Sequence, residues 1–174
     1  MTKLMAVDPG LTNTGVSLFD DGRLVGYFCF KTKKPKNIDS DVYDVRYVEL
    51  VKIFTATIKK FLPDTLAIET QYMSRIMSNS TLKVVAVKSL IETLYISYCL
   101  ENNITPNIIS VSPISAKKAI GVSSKYKRKE SKEKVKSAVI NRYSFLSEEK
   151  QDIFDSIAIG MYAHLKLKSN LSTK

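Results

Sequence analysis

Four carboxylates occupy positions from which they could do chemistry together. Asp8 closes the apolar run Leu4–Val7, and Glu69 closes the apolar run 66–68. Asp152 and Asp155 lie three residues apart in a helical stretch, so both project from one helix face. Brought together, they would form an oxygen-ligand set for two hard divalent cations, which bind carboxylates and keep several waters. In phosphodiester hydrolysis one such ion generates hydroxide and the other steadies the leaving oxygen. Carboxylates this close repel and raise each other's pKa unless a cation is shared among them. Taken singly, each acid has a plainer reading. An Asp before Pro9-Gly10 forms a turn, a Glu at a strand end is a solvated cap, and acids in a first helical turn complement the helix dipole. The combination is what points to a nuclease: a first-strand acid opening into Gly10 and Gly15, a fourth-strand acid, and a helical D-x-x-D leading an apolar run.

The elements that must position these acids follow from periodicity. Strands are expected at Lys3–Asp8, 14–19, 24–31, Thr65–Glu69 and 107–111, with a hairpin turn at Asp20-Asp21-Gly22-Arg23. Residues 31–41, polar and lysine-rich, read as a loop. Apolar residues at helical spacing predict helices over 42–61 (stopped by Pro63-Asp64) and from about 78 to 100. A short helix opens at Ser112-Pro113, where proline suits the first helical position. Residues 121–127 form a loop, helices follow over 129–142 and 148–166, and 169–174 are expected to be a disordered tail. The order β-β-β-α-β-α-β-α-α-α predicts an α/β protein with a mixed five-stranded sheet in a three-layer α/β/α arrangement, one domain spanning 1–168.

The chain has 174 residues and a formal net charge of +10, which argues for a polyanionic partner. Residues 125–136 hold seven basic and two acidic side chains, so half of the excess charge sits in twelve residues. Lys127, Arg128 and Lys129 lead this segment and are expected to meet phosphates. A basic surface that only aids solubility is the alternative.

Three motifs carry a resemblance to a known family. Asp8-Pro9-Gly10-Leu11-Thr12-Asn13-Thr14-Gly15 resembles the opening motif of the RuvC-type Holliday junction resolvases. Ala67-Ile68-Glu69-Thr70-Gln71-Tyr72-Met73 resembles their second motif, and Asp152 to Gly160, DIFDSIAIG, their C-terminal one. Order and spacing agree from residue 3 to about 165. The resemblance implies an RNase H-like fold, a homodimer, and paired nicks across a four-way DNA junction. It makes Asp8, Glu69, Asp152 and Asp155 the catalytic metal ligands, for two Mg2+ ions per site with Mn2+ able to substitute. It gives Tyr72 the place of an aromatic residue that inserts near the junction centre. Lys117 or Lys118, together with Lys132, match phosphate-contacting lysines. The loop 123–129 is longer than the family's usual one, and 74–80 departs from its pattern. The excess of lysine over arginine, with abundant Ile, Asn and Ser, suits an AT-rich genome such as that of a low-GC bacterium or its phage.

Other classes compete. An actin-like or sugar-kinase ATPase shares an acid-and-glycine hairpin, but it needs two lobes and a second acid-x-Gly loop. A non-catalytic branched-DNA binding module would not keep all four acids. Other RNase H-like nucleases, including flap and branch endonucleases, share the metal set. No small-molecule substrate is expected. No apolar run is long enough to span a bilayer, and the opening residues do not form a signal peptide, so a cytoplasmic location is expected, in a bacterial cell or a phage-infected host. Cys29 and Cys99 read as buried small hydrophobes and His164 as a helix-end polar residue. Met73 and Met77 flank the substrate loop, and Tyr126 reads as a loop anchor or a base-stacking residue.

Overall fold

The computed structural model describes residues 2–33, 45–70, 78–147 and 149–172. The first strand, β1 (Lys3–Asp8), lies in the middle of the sheet. Leu4 and Ala6 point to one face and Met5 and Val7 to the other, all fully buried, which is why the run is continuously apolar. On one side β1 pairs antiparallel with β2 (Asn13–Asp20), which pairs antiparallel with β3 (Arg23–Lys31). On the other it pairs parallel with β4 (Thr65–Glu69), which pairs parallel with β5 (Ile108–Val111). The order β3-β2-β1-β4-β5 is the expected mixed five-stranded sheet.

Helices cover both faces and make the three layers expected from the sequence. Helix α1 (Arg46–Phe61) buries Leu50, Phe54 and Ile58, and α2 (Asn79–Glu101) buries Val87, Ile91, Tyr95 and Cys99, against Met5, Val7, Val16, Leu66 and Ile68. On the opposite face lie α3 (Pro113–Ala119), α4 (Arg128–Arg142) and α5 (Gln151–Ser172). There Phe154, Ile157, Ala158 and Ala163 of α5 pack on Leu4, Ala6, Phe19 and Ala67. Gly160 lets α5 descend onto β2, because a Cβ there would overlap the Phe19 ring.

Local chemistry explains the joints. The β2–β3 turn places Asp21 and Gly22 at φ 46° and 79°, the left-handed pair that a two-residue hairpin needs. Leu18 pairs with Gly26 and Phe19 with Leu24, so Val25 has no partner and stands exposed. After α1, Leu62 takes a left-handed cap and Pro63 prevents continuation. Asp64 then accepts from the Lys3 amide at 2.8 Å and ties the start of β4 to β1.

Several boundaries differ from expectation. The first helix begins at Arg46; residues 42–44, included in the sequence-based helix, lie outside the described ones. The last helix begins at Gln151 and runs to Ser172, so residues 169–172, expected as tail, continue it. No glycine or proline follows Gly160 to break that helix, and Leu167 still packs on the core. A 3-10 turn at Ser144–Leu146, absent from the sequence reading, joins α4 to the approach of α5.

Candidate active site

Strand register brings the first two acids together. Val7 pairs with Ile68 across parallel β1 and β4, so the next residues, Asp8 and Glu69, end adjacent strands at one level. Side chains alternate along a strand, and Asp8 shares the face of Leu4 and Ala6 as Glu69 shares that of Ala67. Both carboxylates therefore lie on the α5 side of the sheet. There α5 presents Asp152 and Asp155 from its first two turns.

A glycine permits the approach. Gly15 is the β2 partner of Asp8, and a Cβ added to it would overlap the backbone carbonyl of Asp152 and stand 3.2 Å from its Cβ. Gly10 is equally constrained, since a Cβ there would overlap the Asn13 carbonyl. The Thr14 hydroxyl donates to the Gly10 carbonyl and the Thr32 hydroxyl to that of Leu11, bracing the turn that follows Asp8.

Each of the other three acids acts electrostatically on Asp8. Burial raises the Asp8 carboxyl well above the usual range; the charges of Glu69, Asp155 and Asp152 raise it further, and Lys132 opposes them. Burial also raises Asp155, against the Gln151 hydrogen bond and the charges of Lys132 and Lys117. Among the described residues no three His, Cys, Asp or Glu side chains form a ready metal-holding group. The acids act on one another through their fields, and rotation about their side-chain torsions would be needed for them to share an ion. The donor chemistry fits divalent metal: all four are hard carboxylate ligands, and Asp8 is buried among like charges that a cation would neutralise.

Two supporting contacts were not legible in the sequence. The Gln151 side-chain amide donates to Asp155 Oδ1 at 3.0 Å. Cys29 Sγ stands 3.8 Å from Asp152 Oδ2. Cys29, expected as a buried hydrophobe, is instead half-buried at the edge of the acidic site, because β3 is the edge strand and Cys29 pairs with Gly15. Cys99 is buried as expected. The i−4 spacing of Gln151 from Asp155 was the one available signal for its role.

The basic residues divide by position. The half-buried Lys117 and the more open Lys132 act on the carboxylates, whereas Lys118 faces solvent one position further on. Lys127 caps the start of α4, and Lys127, Arg128 and Lys129 are exposed one turn before Lys132. Tyr126 lies under the Lys134 ammonium, 5.7 Å from its ring centre. Tyr72, Met73 and Met77 lie outside the described residues. His164 is not at a helix end: it sits within α5, packed under Gly22 of the hairpin, and burial beside Lys168 and Arg142 lowers its pKa. Among the described residues no helix is long and apolar enough to cross a membrane.

A sheet of this order, with the last helix packed on β1 and β2, is an RNase H-like fold. The chain belongs to the crossover junction endodeoxyribonuclease RuvC family, whose model matches residues 4–164. It is similar in structure to Thermus thermophilus RuvC in complex with Holliday junction substrate, with a TM-score of 0.71, 17% identity, and coverage of 97% of this chain and 96% of that one. A second Thermus thermophilus RuvC structure has a TM-score of 0.68 at 18% identity, covering 97% of each chain. The yeast mitochondrial Holliday junction resolvase has a TM-score of 0.59 at 17% identity, covering 99% of this chain and 85% of that one. No curated protein matches the chain.

Proposed function

We propose that this protein resolves four-way DNA junctions as a homodimer, making one metal-dependent nick in each of two strands of like polarity. The observation that carries the reading is the buried Asp8 carboxyl, level with Glu69 across β1 and β4 and acted on by the charges of Glu69, Asp155 and Asp152, with Lys132 and Lys117 opposing them. Family membership and the junction-bound structural neighbour support it. The four acids would hold two Mg2+ ions, or Mn2+ in their place, and these supply an activated water and stabilisation of the leaving oxygen. Gln151 keeps Asp155 oriented. Lys117 and Lys132 take the phosphates nearest the cut, while Lys118, Lys127, Arg128 and Lys129 track the arm beyond it. Tyr72, three residues after Glu69, takes the role of the inserted aromatic.

The dimer is supported by α2. Its inner face is buried on the sheet, yet Leu82, Ile96 and Leu100 are exposed on the outer side, with Ala86, Ser89 and Thr93 between them. Two of its few charges, Lys88 and Glu92, pair with each other at 2.6 Å. A helix apolar on both sides needs a second cover. A two-fold pair of subunits also matches the two-fold symmetry of a junction.

The test is incubation of purified protein with labelled four-way junction, flap, linear duplex and RNA–DNA hybrid, with and without Mg2+. Paired, Mg2+-dependent nicks on the junction alone are expected. Equal cutting of flaps would broaden the activity to branched DNA, and no cutting of any branched DNA would refute the reading.

A further inference from the structure

An aromatic patch beside the carboxylates has no part in the chemistry described so far. Phe145 is 64% exposed, an unusual state for a phenylalanine in an ordered turn. The turn that carries it is well anchored. Leu146 is fully buried, its amide donates to the Tyr143 carbonyl at 3.1 Å, and the Tyr143 amide donates to the Val139 carbonyl at 2.8 Å. With Leu146 turned into the core, Phe145 is turned out. Two tyrosines hold it: Tyr27 with ring centres 6.2 Å apart and planes 31° apart, and Tyr143 at 6.1 Å with an edge-to-face angle of 64°. Burial, and after it the neighbouring Glu149 carboxylate, raises the pKa of the Tyr27 hydroxyl.

The patch adjoins the nuclease site. Tyr27 and Cys29 point to the same face of β3, two residues and therefore about 6.7 Å apart, roughly two base rises of a DNA strand. Cys29 in turn touches Asp152. The surroundings carry positive charge: the Arg142 guanidinium lies 5.9 Å from the Tyr143 ring centre, and the Lys150 charge acts on Cys29. An exposed ring braced by two others, with a guanidinium against one of them, is an arrangement on which nucleic-acid bases stack.

We infer that Phe145, supported by Tyr27 and Tyr143, is a stacking platform for an unpaired base of the DNA strand close to the cut. The inference rests on the branched-DNA nuclease reading and adds a second base contact on the β3 side of the carboxylates. A base that leaves the duplex near the branch point loses its stacking neighbours, and the Phe145 face replaces one of them. The contact recognises an open strand and not a sequence, because every base has a flat face.

The test uses the full chain and four-way junctions carrying 2-aminopurine within three nucleotides of the cleavage position, in Ca2+ so that binding is read without cutting. Wild type should quench or shift the 2-aminopurine fluorescence at one of these positions. Phe145→Ala and Phe145→Leu should both lose that signal, and Phe145→Trp should retain it. Phe145→Ala should also weaken binding to DNA with unpaired bases about tenfold, as expected when one stack is removed, and leave binding to linear duplex unchanged. The melting temperature of Phe145→Leu should match wild type, since the ring is largely in solvent. An unaltered 2-aminopurine signal in Phe145→Ala would overturn the platform. So would an equal loss on duplex, or a change in oligomeric state showing that the patch meets a second protein copy. Failure of the wild type to cut any junction in Mg2+ would count against the nuclease reading, and the fluorescence result stands apart from it.

Discussion

Gly15 lies directly beneath the carbonyl of Asp152, so close that any side chain on the strand would overlap the helix backbone. Because Gly15 is also the pairing partner of Asp8, one missing side chain lets the last helix reach the first acid. The clash would set backbone against Cβ, and no rotamer change can relieve it.

Gly15→Ala should therefore push the first turn of α5 off the sheet. Overpacking of this kind costs about 1–3 kcal/mol. Denaturant unfolding should register that loss, and Mg2+-dependent junction cleavage should fall more steeply than junction binding. Wild-type cleavage with an unchanged unfolding midpoint would show that the approach of β2 and α5 is not needed for catalysis.

The acids should separate cutting from binding. Asp8→Asn, Glu69→Gln, Asp152→Asn and Asp155→Asn should each lower junction cleavage by about a hundredfold or more while leaving junction affinity intact, since lysines hold the phosphates. Metal should also stabilise the wild type, by about 2.7 kcal/mol at a hundred times its dissociation constant. Asp8→Asn should melt higher than wild type in EDTA, because burial and three neighbouring acids oppose a charge at that position. It should gain less from Mg2+. Full cleavage activity in any two of the four variants would remove the proposed site.

The exposed start of α4 should act through charge alone. Replacing Lys127, Arg128 and Lys129 with alanine should weaken binding to all DNA shapes. It should reduce the slope of log affinity against log salt by roughly 0.9 for each phosphate that is no longer neutralised. An unchanged slope would make the segment a solvated surface.

The outer face of α2 should hold the dimer. Leu100 is 66% exposed and Ile96 lies on the same side one turn earlier, so Ile96→Glu combined with Leu100→Glu should shift the protein to monomer in sedimentation. The double variant should keep its fold, since neither side chain is in the core, and should lose paired nicking. A wild-type chain that sediments as a monomer at micromolar concentration, with or without junction DNA, would refute the interface.

Much of this molecule was legible in the residues, because the information was local. The alternation in β1, the Asp-Gly turn, the three- and four-residue steps of α1 and α2 and the D-x-x-D on one face of α5 each express the geometry of a single element. They identified the strands and the layers, and they singled out the four acids as candidates. The tertiary structure decided what depends on two elements at once. The register of Val7 on Ile68 sets Asp8 level with Glu69, and a slip of one residue would have turned one acid to the far side of the sheet. Gly15 was visible as a motif glycine, but its purpose is a helix more than a hundred residues later. Cys29 read as a core residue because its sequence neighbours are apolar; its position on an edge strand brought it to Asp152. Phe145 read as nothing in particular, since a phenylalanine between Ser144 and Leu146 carries no period. It faces outward because Leu146 takes the inward place, and only the packing of α4 against α5 determines which of the two does.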